Sequence, residues 1–183
     1  PDAPEGVKGI SLFLVPKFIP DAQGNPGTRN DIKCAGLEHK LGIHASPTCV
    51  MQYGEQGGAT GWLIGRENEG LRYMFTMMNN ARLSVGLQGV AIAERAYQQA
   101  FGYANERVQG TRLSDKAGAH VAIIEHPDVR RMLLLMKAQT DAGRMMTYEA
   151  ALMLDRAHAG DHGARARVEL LTPIVKAWCT DMA

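Results

Sequence analysis

Before residue 69 apolar positions come in short runs broken by turn formers; after it they recur every three or four residues. The change of period separates a strand-like segment from a helical one. In the first part Asp21-Ala-Gln-Gly24-Asn-Pro26-Gly27, Ser46-Pro47 and Gly57-Gly58 mark turns, and the runs between them predict strands over 9–15, 48–53 and 60–64. These are too few to close a sheet buried on both faces. Residues 1–68 therefore read as the tail of a β domain.

Residues 69–183 contain only two prolines, Pro127 and Pro173, and are rich in Ala, Leu, Met, Gln and Arg, all good helix formers. Met74, Met77, Met78 and Val85 recur at helical spacing and predict a buried stripe. Gly86, Gly89, Ala93, Ala96, Ala100 and Ala104 form a column of small side chains that lets a second helix approach closely. His126-Pro127-Asp128 marks a helix start, with proline where a missing N–H costs nothing and an acid beside the positive dipole end. The seam that follows, Val129, Leu133, Met136, Thr140, Gly143, Thr147, Ala150 and Leu154, has the period of a bundle. Ala159-Gly160-Asp161 ends this helix, and a last helix is expected over 168–179. The predicted architecture is mainly α, an antiparallel helical bundle preceded by a β remnant.

Composition narrows the partners. The 183 residues carry 20 Lys plus Arg against 19 Asp plus Glu, a net charge of +1, which supplies no electrostatic attraction for nucleic acid or an anionic membrane. No apolar run reaches the ~18 residues a membrane helix needs. Cys34, Cys49 and Cys179 are odd in number, widely spaced and outside any C-x-x-C, which argues against a disulfide framework or a zinc site and for a reducing, cytoplasmic setting. The chain begins at Pro1 with neither an initiator methionine nor a signal peptide, as a piece of something longer would.

Candidate chemistry is sparse. His158 and His162 stand four apart with Asp155 and Asp161 nearby, but Gly160 interrupts the helix that a fixed metal geometry would need. Gly57, Gly58, Gly61 and Gly65 match no phosphate-binding motif. Ser84, Ser114 and the histidines form no nucleophile and base arrangement, and the methionines read as core filler. Arg107 stands where a long helix gives way to Gln109-Gly110-Thr111. It is either a cation on the last-turn carbonyls or a phosphate-gripping arginine.

Four segments occur in order: Gly36-Leu-Glu-His-Lys40-Leu-Gly42-Ile-His-Ala-Ser46-Pro-Thr48, Leu63-Ile-Gly65 with Asn68-Glu-Gly70, Met78-Asn-Asn-Ala-Arg82, and Tyr103-Ala-Asn-Glu-Arg107-Val-Gln109. Together they closely resemble the acyl-CoA dehydrogenases, from the end of the middle β domain into the C-terminal four-helix domain. Ser46-Pro-Thr48, Met77-Met-Asn-Asn-Ala-Arg82 and Gly86-Leu-Gln-Gly-Val-Ala91 are most similar to the larger branch that includes the 3-methylmercaptopropionyl-CoA dehydrogenases. The resemblance implies residues 1–68 in the middle domain and 69–183 in an incomplete helical domain. It also implies an FAD enzyme that oxidises an acyl-CoA thioester to the trans-2-enoyl-CoA, passes electrons to an electron-transfer flavoprotein, and works as a homodimer or homotetramer.

Carried over by position, Asn79 and Arg82 fall in the substrate segment beside the thioester and pantetheine, Arg107 and Gln109 in the segment that reaches the FAD pyrophosphate, and Ser46 near the CoA arm. Three departures stand out. Gln109 runs into Gly110 and a longer loop to His120 where the family has a phenylalanine-glycine pair. Ala81 occupies the position from which some members supply the catalytic base; the commoner base belongs to a segment after Ala183. The N-terminal helical domain and flavin-covering strands are missing, so no complete active site, and no catalytic residue, is expected within 1–183. The opposing expectation is a helical scaffold that kept this fold without catalysis.

Overall fold

The computed structural model describes residues 2–115 and 117–183; Pro1 and Lys116, the latter within the 110–120 loop, lie outside the described residues. Two compact units divide the chain, Pro1–Thr76 and Met77–Ala183. Among its described residues the first holds six short strands: β1 (Leu12–Leu14), β2 (Phe18–Pro20), β3 (Pro26–Arg29), β4 (Ile32–Leu37), β5 (Cys49–Tyr53) and β6 (Trp62–Ile64). They pair antiparallel as three separate two-stranded ladders, β1–β6, β2–β3 and β4–β5. The expected strands over 9–15, 48–53 and 60–64 fall on β1, β5 and β6, the first trimmed at both ends. The other three strands went unread for identifiable reasons. Proline bounds the β2–β3 ladder at the Pro20–Pro26 pair, so the segment reads as turn, and a bulge between Cys34 and Gly36 breaks the alternation of β4.

One buried polar side chain ties these ladders together. Asn30, only 4% exposed, donates from Nδ2 to the carbonyl oxygens of Pro16 (2.9 Å) and Thr60 (2.7 Å). Its Oδ1 accepts from the backbone N–H of Asp31 (3.0 Å) and of Thr60 (2.9 Å). All four bonding positions of the amide are filled, which is what makes its burial affordable.

Three helices follow: α1 (Gly70–Glu106), α2 (Pro127–His158) and α3 (His162–Met182). The start of α1 lies within the first unit, where Gly70 N–H donates to the Ile10 carbonyl (2.9 Å) and Asn68 N–H to Ser11 Oγ (2.8 Å). In the second unit α2 runs antiparallel to both other helices: Arg144 meets Glu94 and Lys137 lies over the Tyr97 ring, while Glu149 meets Arg167. The core joins Val90 of α1, Ala150 of α2, and Val175 and Cys179 of α3, with Leu83, Met146, Leu171 and Trp178 packed around them. A second group, Met153, Ala164 and Val168, closes the end where α2 turns into α3.

The α2 seam is buried at Leu133, Thr140, Gly143, Thr147 and Ala150, but its next buried position is Met153 rather than Leu154. Thr140 and Thr147 pass their hydroxyl hydrogens to the carbonyls of Met136 and Gly143, both at 2.8 Å, which satisfies polar groups in an apolar seam. The small column of α1 holds at Gly86, Gly89, Ala93 and Ala104, but Ala96 is exposed and Tyr97 is half-buried. At about 100° per residue, eleven steps from Gly86 return Tyr97 to the seam while ten leave Ala96 off it.

The methionine stripe is corrected by the same geometry. Met77 is 61% exposed, because nine residues place it about 180° from Gly86. Met145 is 72% exposed, two residues and therefore about 200° from buried Gly143. Neither is core filler. The last helix is also longer than the expected 168–179, since Asp161 caps it by accepting from Ala164 N–H at 3.0 Å and so starts α3 rather than merely ending α2. Pro173 lies inside α3.

Candidate functional site

α1 carries candidate residues near both its ends. Asn79 and Arg82 stand one turn apart, with Arg82 Nη1 donating to Asn79 Oδ1 at 3.2 Å. Ala81 between them is exposed and has no titratable group. Arg107 and Gln109 lie just past the other end, with Arg107 Nη2 3.4 Å from Gln109 Oε1. The two pairs are not brought together within the chain: twenty-five residues at 1.5 Å rise separate Arg82 from Arg107 by about 37 Å.

The Arg107 segment is held by its backbone. Arg107 N–H completes the helix on Tyr103 O (2.8 Å), and its carbonyl accepts from Ile123 N–H (2.8 Å). Val108 bridges Ala122, Gln109 N–H donates to Val121 O (2.9 Å) and Val121 N–H to Gly110 O (3.0 Å). These bonds make the base of a hairpin whose loop is the extra stretch up to His120. His126 Nε2–H donates to Gln109 O at 2.7 Å. Gly110 has φ of +72° and faces that imidazole, 3.4 Å from where a β-carbon would sit, so a larger residue here would be strained.

Arg112 and Arg130 both reach Glu125, at 3.3 and 3.4 Å, and Arg130 Nε also donates to Ile124 O. Two guanidinium groups thus meet one carboxylate beside the hairpin that carries Arg107. Sequence reasoning did not find Arg112, Glu125 and Arg130, because only the pairing of 107–110 with 121–123 brings them there. Among the described residues the Arg107 guanidinium bonds Gln109 Oε1 alone, rather than the last-turn carbonyls, which leaves its other donors available to an oxyanion.

In the first unit Ser46 sits on the exposed loop between β4 and β5. Lys40 organises this loop: its Nζ donates to the carbonyls of Ile43 (3.0 Å) and Ser46 (2.5 Å), and Ser46 N–H donates to Ile43 O (3.2 Å). Ile43 has φ of +56°, a left-handed conformation that costs a β-branched residue on the order of 1–3 kcal/mol. The lysine bonds help hold it.

His158 ends α2 and His162 opens α3, while Asp161 between them is engaged as a cap and with Arg156 Nη2 at 2.7 Å. These bonds hold its carboxyl below the ordinary range, the Ala164 N–H contributing most. An open cleft of about 360 Å³ lies beside this turn, lined by Glu149, Met153, Arg156 and Arg167 among others. Its charges are already paired, Glu149 with Arg167 at 2.8 Å and Arg156 with Asp161, and it includes none of the candidate residues.

Residues 68–183, covering all three helices from the start of α1, match the family described as acyl-CoA dehydrogenase, C-terminal domain. The chain belongs to the acyl-CoA dehydrogenase family. It is 53% identical over 187 residues to 3-methylmercaptopropionyl-CoA dehydrogenase of Ruegeria pomeroyi, an alignment covering all of this chain and 31% of that protein. It is 39% identical over 193 residues to a butyryl-CoA dehydrogenase of Syntrophomonas wolfei, covering all of this chain and 32% of the relative. The crystal structure of Caenorhabditis elegans ACDH-11 in complex with C11-CoA superposes with a TM-score of 0.78 at 26% identity, over 98% of this chain and 28% of that one. The chain thus spans about a third of the length of the curated relatives it matches. No helix among its described residues is long and apolar enough to cross a membrane.

Proposed function

We propose that this chain is the end of the middle β domain (1–68) and part of the helical C-terminal domain (69–183) of an FAD-dependent acyl-CoA dehydrogenase. The enzyme oxidises an acyl-CoA thioester to the trans-2-enoyl-CoA, passes its electrons to an electron-transfer flavoprotein, and works in a reducing, cytoplasmic compartment. The observation that carries this reading is the hairpin-mounted Arg107, in a domain whose sequence matches the family model throughout. An arginine with free donors, flanked by an amide side chain and fixed by its backbone, fits a pyrophosphate.

Bound FAD supplies a hydride acceptor for the substrate β-hydrogen. The chain's own residues do the holding. Arg107 grips phosphate oxygens and Gln109 adds an amide beside them. Asn79 and Arg82, coupled at 3.2 Å, line the thioester and pantetheine, and Ser46 on its lysine-braced loop approaches the CoA arm. Removal of the α-proton needs both a polarised carbonyl and a base within reach. Ala81 cannot be that base, so the 183 residues alone do not turn over substrate. As the resemblance to the acyl-CoA dehydrogenases implies, the pyrophosphate that Arg107 contacts belongs to FAD held mainly by a neighbouring subunit, in a homodimer or homotetramer.

The test is to assay the whole protein carrying this chain with FAD, an artificial electron acceptor, and butyryl-CoA and 3-methylmercaptopropionyl-CoA. Enoyl-CoA formation with bleaching of bound flavin is expected, with only background dye reduction from residues 1–183. A whole protein that neither retains FAD nor reduces the dye with any acyl-CoA would favour the scaffold reading instead.

A further inference from the structure

Cys34 and Cys49 are fifteen positions apart in sequence, and the β4–β5 ladder puts them side by side. In its register Cys34 faces Met51 and Leu37 faces Cys49. Residues 49 and 51 share one face of β5 because side chains alternate, so both cysteines stand on the same face of the ladder. The bulge between Cys34 and Gly36 lies between their two rungs. Both thiols are exposed. Cys34 Sγ donates to Gly36 O at 3.3 Å, and the two thiols lie near enough for each to feel the other electrostatically.

Charge around the pair is uneven. The neighbouring Cys34 thiol pushes the Cys49 thiol up from its ordinary value, while the Lys40 ammonium acts in the opposite direction. Cys179 is a different case: it is buried in the helical core and desolvation pushes it up, as for an inert structural cysteine.

We propose that Cys34 and Cys49 form a redox-active dithiol, a modification site that low-molecular-weight disulfides such as oxidised glutathione convert to a cross-strand disulfide. One protein thiolate attacks a glutathione sulfur, breaking its S–S bond and expelling a glutathione thiolate. The second protein thiol then loses its proton and attacks the protein sulfur of the mixed disulfide, expelling the other glutathione. Two protein thiols are oxidised, one glutathione disulfide is reduced to two glutathione thiols, and the two protein protons end on the departing thiolates. The bond forms at the stem of the Lys40–Ser46 loop, where Glu38 N–H already pairs with Thr48 O, so it fastens the strands that carry that loop. The inference does not depend on the enzymatic reading.

The experiment uses the whole protein that carries this chain, equilibrated without oxygen in graded mixtures of reduced and oxidised glutathione, quenched with acid, alkylated and peptide-mapped by mass spectrometry. A Cys34–Cys49 cross-linked peptide is expected to exceed glutathione adducts at either position by about tenfold or more, and to vanish on treatment with dithiothreitol. Cys34→Ser should leave a stable glutathione adduct on Cys49, and Cys49→Ser one on Cys34. Adducts persisting at both positions in the wild type, a cross-link from either cysteine to any third one, or two thiols that stay reduced across the series would each overturn the proposal. The wild-type map decides this even if a serine variant does not fold.

Discussion

A β-carbon added to Gly89 would lie 2.3 Å from the carbonyl oxygen of Cys179. Two helices of the bundle, α1 and α3, therefore meet here backbone to backbone. Alanine in a helix is ordinarily favoured over glycine by about 1 kcal/mol, but the obstructing atom is main chain and cannot swing aside. Gly89→Ala should destabilise the helical unit by about 1–3 kcal/mol, seen as an earlier urea transition by circular dichroism. Gly102, in the same helix with nothing within 4 Å of its absent side chain, is the control. Gly102→Ala should gain roughly 0.5–1 kcal/mol. Equal effects at the two sites would mean that α3 does not sit against Gly89.

Acid should loosen the contact between α1 and α2. Glu94 is held below the ordinary carboxylate range by the Gln98 side chain first and by Arg144 second, and Asp141 is lowered chiefly by Lys137. A depressed carboxyl contributes stability that is fully present above its unfolded value, about 4.3 for Glu and 3.9 for Asp, and lost as pH falls through the folded one. Thermal melts of wild type and Glu94→Gln should therefore differ most from neutral pH down to about 5 and converge below about 4. These groups are partly solvated, so salt should shrink the difference as well. A gap that stays constant to low pH would show that the Glu94 charge contributes nothing.

Asp161 joins α2 to α3 by capping one helix and pairing with the last turn of the other. Asp161→Ala should cost about 1 kcal/mol through the lost cap. Asp161→Asn keeps an acceptor for Ala164 N–H and gives up the pair with Arg156, an exposed contact of about 0–1 kcal/mol. Urea transitions should rank wild type, Asn, then Ala; an Asn variant as weak as Ala would assign the effect to the ion pair instead.

Periodicity was enough to read most of the helical unit. Leu133, Thr140, Gly143, Thr147 and Ala150 are both the predicted and the buried face of α2, because a long seam averages out local exceptions. The errors come from angles that a list of apolar residues ignores, as when Met77 points away from Gly86, and from chemistry that interrupts a pattern. Asp161 reads as a breaker when it is also a cap, and the bulge at Cys34 hides β4. At the candidate site, Arg107 and Gln109 were legible as the end of a helix. The hairpin under them, the lysine brace at Ser46 and the Cys34–Cys49 pair depend on partners 6 to 17 residues away, which no local signal specifies.

The phosphate reading of Arg107 separates cleanly from a structural one, because the backbone of Arg107 does the structural work. Its N–H and C=O are bonded to Tyr103 and Ile123 whatever side chain it carries, so Arg107→Ala should leave helicity and melting temperature of the apoprotein unchanged. Two charge-assisted bonds to a pyrophosphate contribute roughly 1.5–3 kcal/mol each when well formed. In the whole protein, Arg107→Ala should accordingly weaken FAD retention by about tenfold or more, on the order of 1.4 kcal/mol. Arg107→Lys should recover only part of that, since an ammonium lacks the planar fork. Gln109→Ala should show a smaller loss, as it removes a neutral amide. If FAD bridges subunits, its removal should also shift the assembly towards smaller species by mass action, which flavin absorbance and light scattering on the same samples will reveal. Unchanged flavin content in Arg107→Ala would return this arginine to the role of a solvated cation at the end of α1.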